Sequence, residues 1–331
     1  MGTRTEMDRH VEAAQAALLA HHAPDTLVRR VRWSQGETQV LELGTGPPLL
    51  LVHGAFSDAS IWVPILPELA RNHRVLALDL PGHGLADPFD YTGVDVLELA
   101  RTFLREILDA LEVRTLDLVA NSMGGLFSVI FAIDNPDRVS RLVLVGAPAG
   151  VHRAVPLQLR MPLAAFRLPV IGPSLARFAT SHLTRDSNRK FWGKVLVTHP
   201  ERVGDLLLDE DVVQARRNAG SHLSLGRCLG DIRGLRRRLI LGERWQALDV
   251  PTLFLWGERD PFFGGPEQGE ALAARNPNLR VIRLADNRHI PWIDDPERVV
   301  SEIERFLTNA ANDPQIGQLE VLLFSRSDVP V

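Results

Sequence analysis

Leu116-Asp117-Leu118-Val119-Ala120-Asn121-Ser122-Met123-Gly124-Gly125 is the most informative segment of the chain. An apolar run ends at a serine, and a glycine-led helix pattern follows. Where a strand turns sharply into a helix around a serine, the residues two before and two after it must be small, because the chain doubles back there. Ala120 meets that need with a methyl group and Gly124 with no side chain at all. A helix starting at this turn aims its positive end at the serine and leaves the Met123 N–H free to donate to an oxyanion. A plain serine N-cap on an ordinary crossover gives a similar string, so the surrounding chain must separate the two readings.

Outward from this turn the pattern alternates. Apolar runs at 49–52, 74–78, 115–120, 141–145, 252–256 and 280–284 read as strands. Helical periodicity at 61–71, 94–111, 123–134, 267–275 and 296–307 falls between or after them. Upstream lie a helix over 8–21 and two strands, 27–33 and 38–43, joined by a turn at Gly36. This rhythm predicts an α/β fold with a mostly parallel central sheet and helices on both faces. It fails from 148 to 247, where Pro156, Pro162, Pro169 and Pro173 punctuate short helical patterns. A stretch of that length is too long for a loop and reads as a helical cap. The expected division is a core of 1–147 and 248–310, a cap of 148–247 and a C-terminal tail of 311–331. The tail carries a strand-like run, Leu319-Glu320-Val321-Leu322-Leu323-Phe324.

Three further motifs sit on loops after predicted strands. Leu51-Val52-His53-Gly54-Ala55-Phe56 ends the first buried run, and Leu253-Phe254-Leu255-Trp256-Gly257-Glu258-Arg259-Asp260-Pro261 ends a late one. Asn287-Arg288-His289-Ile290-Pro291-Trp292 follows the last strand and leads through Asp295-Pro296 into the last helix. With the serine turn they resemble the α/β-hydrolase superfamily in the order Ser, Asp, His. The resemblance covers about residues 38–307 except the cap. Two residues depart from the usual pattern: Ala120 and Arg288 stand where glycine is common.

That resemblance implies an α/β-hydrolase fold with Ser122 as nucleophile, His289 as base and Asp260 as the acid that orients the histidine. It also implies an oxyanion hole made by the N–H groups of Ala55 and Met123. Glu258 is a rival carboxylate, but the Trp-Gly-x-x-Asp pattern selects Asp260. Some members carry the acid after an earlier strand, and here that loop, Gly146-Ala147-Pro148-Ala149-Gly150, holds no carboxylate. His53, Asp79 and His83 are read as structural, the last two within the turn Asp79-Leu80-Pro81-Gly82-His83-Gly84.

The elbow residue narrows the chemistry. Dehalogenases and epoxide hydrolases of this fold use aspartate where this chain has Ser122, and the one tyrosine, Tyr91, lies outside the cap. A carboxylic ester of a small to medium hydrophobic substrate is therefore the leading expectation. The alternatives are a carbon–carbon bond hydrolase of the meta-cleavage-product type and a non-catalytic ligand-binding member of the fold. The former shares the Asn-Ser-Met-Gly-Gly elbow, but usually has a glycine-rich run where this chain has Ala55-Phe56-Ser57-Asp58, and tryptophan where it has Ile290. Cap residues such as Leu157, Leu159, Phe166, Leu168, Phe178, Phe191 and Trp192 are split between the cap's own core and an apolar substrate pocket.

Composition sets the remaining limits. The chain has 331 residues, 45% of them hydrophobic, enough for a large core. Its net charge of -4 gives no reason to expect nucleic acid or membrane as partner. Lys190 and Lys194 are the only lysines, and Cys228 the only cysteine, so no internal disulfide forms. The N-terminal stretch carries Glu6, Asp8, Arg9 and Glu12 and lacks the apolar core of a signal peptide. The expectation is a cytoplasmic protein acting on a small molecule, with homo-oligomer formation left open. The chemistry calls for no cofactor, and no metal-ligand spacing such as His-Glu-x-x-His occurs.

Overall fold

In the computed structural model, residues 5–168 and 171–309 are described. Helix α1 (Glu6–His22) opens the chain, with Thr5 and Asp8 forming a capping box. Strands β1 (Leu27–Trp33), β2 (Gly36–Leu43), β3 (Pro48–Val52) and β4 (Arg74–Leu78) follow, then helix α3 (Val96–Ala110) after the short α2 (Leu66–Leu69) between β3 and β4. Next come β5 (Leu116–Ala120), α4 (Ser122–Asp134) and β6 (Val139–Val145). The sheet closes with β9 (Thr252–Gly257) and β10 (Leu279–Leu284), with α10 (Pro266–Ala273) between them and α11 (Pro291–Asp294) and α12 (Pro296–Asn309) after them.

The strand order is β1-β2-β4-β3-β5-β6-β9-β10. The β1–β2 and β2–β4 pairs are antiparallel, and every pair from β4 to β10 is parallel. Both faces are covered, as a parallel sheet requires. Alternation along β3 makes this visible. Leu50 and Val52 join the core containing Phe103, Phe127 and Phe254, whereas Leu49 and Leu51 join the opposite one, where Trp62 stacks on Trp292 at 4.2 Å. Strand order reverses direction at β3, with β4 on one side and β5 on the other. The loops leaving the carboxyl ends of β3 and β5 therefore border one crevice, where open α/β sheets hold their sites.

One expected helix is broken. Residues 61–71 form a 3-10 turn (Ala59–Trp62) and the single helical turn α2 instead of one helix. Pro64 and Pro67 explain the break, since each removes a backbone donor that a continuous helix would use. The long amphipathic helix expected over 94–111 starts two residues later, where Asp95 caps the N–H groups of Leu97 and Glu98.

Between β6 and β9 lie α5 (Leu157–Phe166), α6 (Ile171–Ser181), α7 (Arg185–Val195), α8 (Asp205–Arg217) and α9 (Ala219–Leu229). A small hairpin, β7 (Gly230–Asp231) with β8 (Gly234–Leu235), and three 3-10 turns complete the described part of this insertion. Leu157, Leu168, Phe178 and Phe191 are exposed to solvent, so these apolar residues do not line an enclosed pocket. Trp192 is buried. Arg217 fastens the end of α8 to the core, pairing with Asp8 at 2.5 Å and donating to the Gly84 and Ala86 carbonyls at 2.8 and 2.9 Å. Among the described residues no helix is long and apolar enough to cross a membrane. The tail of 311–331 lies outside the described residues.

Candidate active site

Ser122 begins α4 with a φ of +50°, while Asn121 before it is still extended at φ -119°. A left-handed backbone at a non-glycine residue costs about 1–3 kcal/mol and persists only where surrounding bonds over-determine it. Here they do. The Asn121 N–H donates to the Val52 carbonyl at 3.0 Å, and the Ala149 N–H donates to the Ser122 carbonyl at 2.8 Å. Asn121 Nδ2 donates to the carbonyls of Val145 at 2.7 Å and His289 at 3.1 Å, so one side chain ties the elbow to the histidine loop.

The need for small residues can be measured. A Cβ on Gly124 would lie 2.3 Å from the Val52 carbonyl oxygen, well inside contact distance. On Gly54 it would lie 3.0 Å from Ser122 Cβ, which shows how closely the β3 loop approaches the serine. Ser122 itself is partly exposed, whereas Met123, Asp260 and His289 around it are buried.

Asp260 leaves the end of β9 with a fully buried side chain. Its Oδ2 lies 2.9 Å from His289 Nδ1 and accepts the Ala147 N–H at 2.9 Å. Its Oδ1 accepts the Phe262 N–H, also at 2.9 Å. With Nδ1–H held by a carboxylate, His289 keeps Nε2 as its free acceptor. The Phe262 ring stacks on the imidazole at 4.0 Å between centroids, fixing the ring plane. Glu258, the rival carboxylate, is exposed and does not share this arrangement. Arg288 needs no left-handed backbone, and its Nη1 donates to the Lys194 carbonyl at 2.5 Å, holding the histidine loop against the end of α7.

Ala55 follows β3, and Phe56 beyond it is left-handed at φ +67°. Two buried histidines shape this loop. His53 Nδ1 donates to the Gly54 carbonyl at 2.7 Å while Nε2 accepts the Leu80 N–H at 2.9 Å. His83 Nδ1 donates to the Pro81 carbonyl at 2.9 Å while Nε2 accepts the Phe56 N–H at 3.3 Å. Each ring uses one nitrogen as donor and one as acceptor, so both are neutral. Burial agrees, holding His53 well below the usual histidine range and His83 down at about 4. Asp79 accepts the N–H groups of Ala59 and Leu85, both at 2.8 Å. These bonds tie the loop after β3 to the loop after β4.

Ser122 and Met123 open α4 after β5, and Ala55, Asp260 and His289 follow β3, β9 and β10, so all five come after the carboxyl ends of parallel strands. Asn121, Ala147 and Phe262 were not assigned roles by sequence reading. Asn121 stood inside the quoted elbow, but its partners lie on β6 and the histidine loop, which no local pattern reveals. Among the described residues no group of three or more His, Cys, Asp or Glu is arranged to hold a metal ion.

A family model described as the alpha/beta hydrolase fold matches residues 47–296. The chain belongs to that family. It is 30% identical to a 2-hydroxy-6-oxononadienedioate/2-hydroxy-6-oxononatrienedioate hydrolase of Cupriavidus pinatubonensis, over 74% of this chain and 78% of that protein. It is 24% identical to a pimeloyl-[acyl-carrier protein] methyl ester esterase of Legionella pneumophila, over 80% of this chain and 96% of the other. The carboxylesterase CesB of Bacillus subtilis shares the fold with a TM-score of 0.71 at 18% identity, covering 92% of this chain and 99% of that one.

Proposed function

We propose that the protein is a serine hydrolase acting on carboxylic esters of small to medium hydrophobic molecules. The observation that carries this reading is the buried Asp260–His289 pair, bound through Nδ1 at 2.9 Å and tied by Asn121 to the left-handed Ser122. A serine hydroxyl needs a base to take its proton as it attacks. His289 Nε2 takes that proton while Ser122 Oγ bonds to the ester carbonyl carbon. The N–H groups of Ala55 and Met123 hold the resulting oxyanion, each contributing about 3 kcal/mol by comparison with other such donors. Collapse of the tetrahedral intermediate breaks the ester C–O bond, and His289 returns the proton to the departing alcohol. Water then attacks the acyl-enzyme along the same path in reverse, and Asp260 stabilises the imidazolium in both halves. The buried, unpaired Cys228 supports a reducing, cytoplasmic setting.

One observation favours a second reading: the 30% identity to a hydrolase whose name denotes a meta-cleavage substrate. In that chemistry a C–C bond breaks, and the leaving carbanion must be stabilised and protonated. A panel of p-nitrophenyl esters of graded acyl length, run beside a meta-cleavage product, separates the readings. Ester hydrolysis lost in Ser122→Ala supports the proposal. Turnover confined to the meta-cleavage product favours the second reading, and turnover of neither in a folded protein favours a ligand-binding role.

A further inference from the structure

A second set of buried polar groups meets the Ala55 loop from the side of the inserted helices. Glu210, Asp211 and Gln214 lie within one turn of α8, and Glu210 and Gln214 are 1% and 0% exposed. Gln214 Nε2 donates to the Phe56 carbonyl at 3.1 Å and to Asp211 Oδ1 at 2.9 Å. Asp211 Oδ2 accepts from Asn188 Nδ2 at 2.9 Å and Trp192 Nε1 at 3.1 Å, which anchors α8 on α7. Asp58, two residues beyond Phe56, accepts the Ser60 N–H through Oδ1 at 2.9 Å. Its Oδ2 and Glu210 Oε1 are both buried with no hydrogen-bond partner among the described donors. Two such carboxyl oxygens can bond each other only with a proton between them.

We propose that Glu210 and Gln214 are positioning residues for the oxyanion loop, holding residues 55–58 through a proton shared with Asp58 and a bond to the Phe56 carbonyl. The inference rests on the reading of Ala55 as an oxyanion donor. Besides Asp58, which caps the 3-10 turn, the charged groups around the shared proton are Asp79 from the loop after β4 and Asp211 and Arg217 from α8. Behind the loop His53 and His83 are neutral, and His222 of α9 is held well below its usual range by burial. Arg217 is already paired with Asp8 of α1. Burial, then the charges of Asp58, Asp211 and Asp79, raise Glu210 well above the ordinary carboxylate range, so Glu210 keeps the proton. A group raised in the fold stabilises it fully below its unfolded pKa, and that stabilisation is lost as pH rises through the folded value. Loss of the proton sets two carboxylates against each other beside two more of the same sign, and the clamp on the loop opens.

Hydrogen–deuterium exchange of peptides spanning 53–63, corrected for intrinsic rates and followed from mildly acidic to alkaline pH, tests this without needing turnover. The wild type should lose protection as pH rises. Opening of the clamp should lower the wild-type kcat at alkaline pH. Glu210→Gln donates without titrating, so it should keep protection across the range and show no such fall. Glu210→Leu should lose protection at every pH and lower kcat about tenfold with little change in KM. Gln214→Leu should act in the same direction, and it decides the matter if Glu210→Leu does not fold. Wild-type protection that is flat with pH overturns the clamp. Protection that follows Glu210 while Ser122-dependent kcat stays unchanged overturns the positioning role. If the wild type shows no Ser122-dependent hydrolysis, the reading of the site fails instead, and the exchange data still decide the clamp.

Discussion

At Ser122 the backbone is left-handed, and at Asp260 three donors converge on one buried carboxylate. On the proposed reading, both hold a hydroxyl and an imidazole in fixed geometry. On that reading Asp260→Asn leaves nucleophile and base in place but offers an amide to Nδ1, which favours the wrong tautomer. The expected result is a fall in kcat on the order of 10⁴ with little change in KM, read from steady-state ester hydrolysis. A fall of only a few fold would mean that Asp260 orients the loop and not the ring. That Ser122, Asp260 and His289 follow the ends of strands was legible, because each stands in a motif a few residues after an apolar run. Phe262 was not legible, since its stacking on His289 depends on the turn that follows Asp260. Asp79 and His83 were legible as turn residues, but their buried hydrogen bonds to Ala59, Leu85 and Phe56 were not.

Elements with a clear period, such as β5 and α3, were readable to within a residue or two. Residues 61–71 misled because Leu66 and Leu69 keep a helical spacing while Pro64 and Pro67 forbid a continuous ladder. The grip of α8 on the Ala55 loop joins residues 158 positions apart, which no window-based pattern reports. The crossing of α4 beneath β3 is legible in one residue, Gly124. Gly124→Ala should cost about 1–3 kcal/mol in chemical denaturation, because its Cβ would meet the Val52 and His53 carbonyl oxygens at 2.3 and 2.5 Å. Gly220→Ala in α9 is the matched control, since its Cβ meets nothing within 4 Å. That substitution should leave stability unchanged or raise it by up to about 1 kcal/mol. Equal effects at the two sites would contradict the close approach of the elbow to β3.

Across the whole molecule, a mostly parallel sheet covered on both faces brings the segments after β3, β5, β9 and β10 to the carboxyl ends of its strands, and among the described residues five helices are inserted between β6 and β9. That plan was readable from the alternation of strands and helices and its failure after Val145. Which side chains of the insertion turn inward was not readable, because composition does not say which face of a short helix meets water. Leu157, Leu168, Phe178 and Phe191 are exposed for that reason, not contrary to any rule of hydropathy. On the proposed reading this architecture serves one activated serine. Treatment with a fluorophosphonate, followed by intact-mass measurement and peptide mapping, counts and locates the adduct. One adduct per chain on Ser122 is expected, with most labelling lost in folded His289→Ala. An adduct on another residue, or full ester hydrolysis by Ser122→Ala, would contradict it.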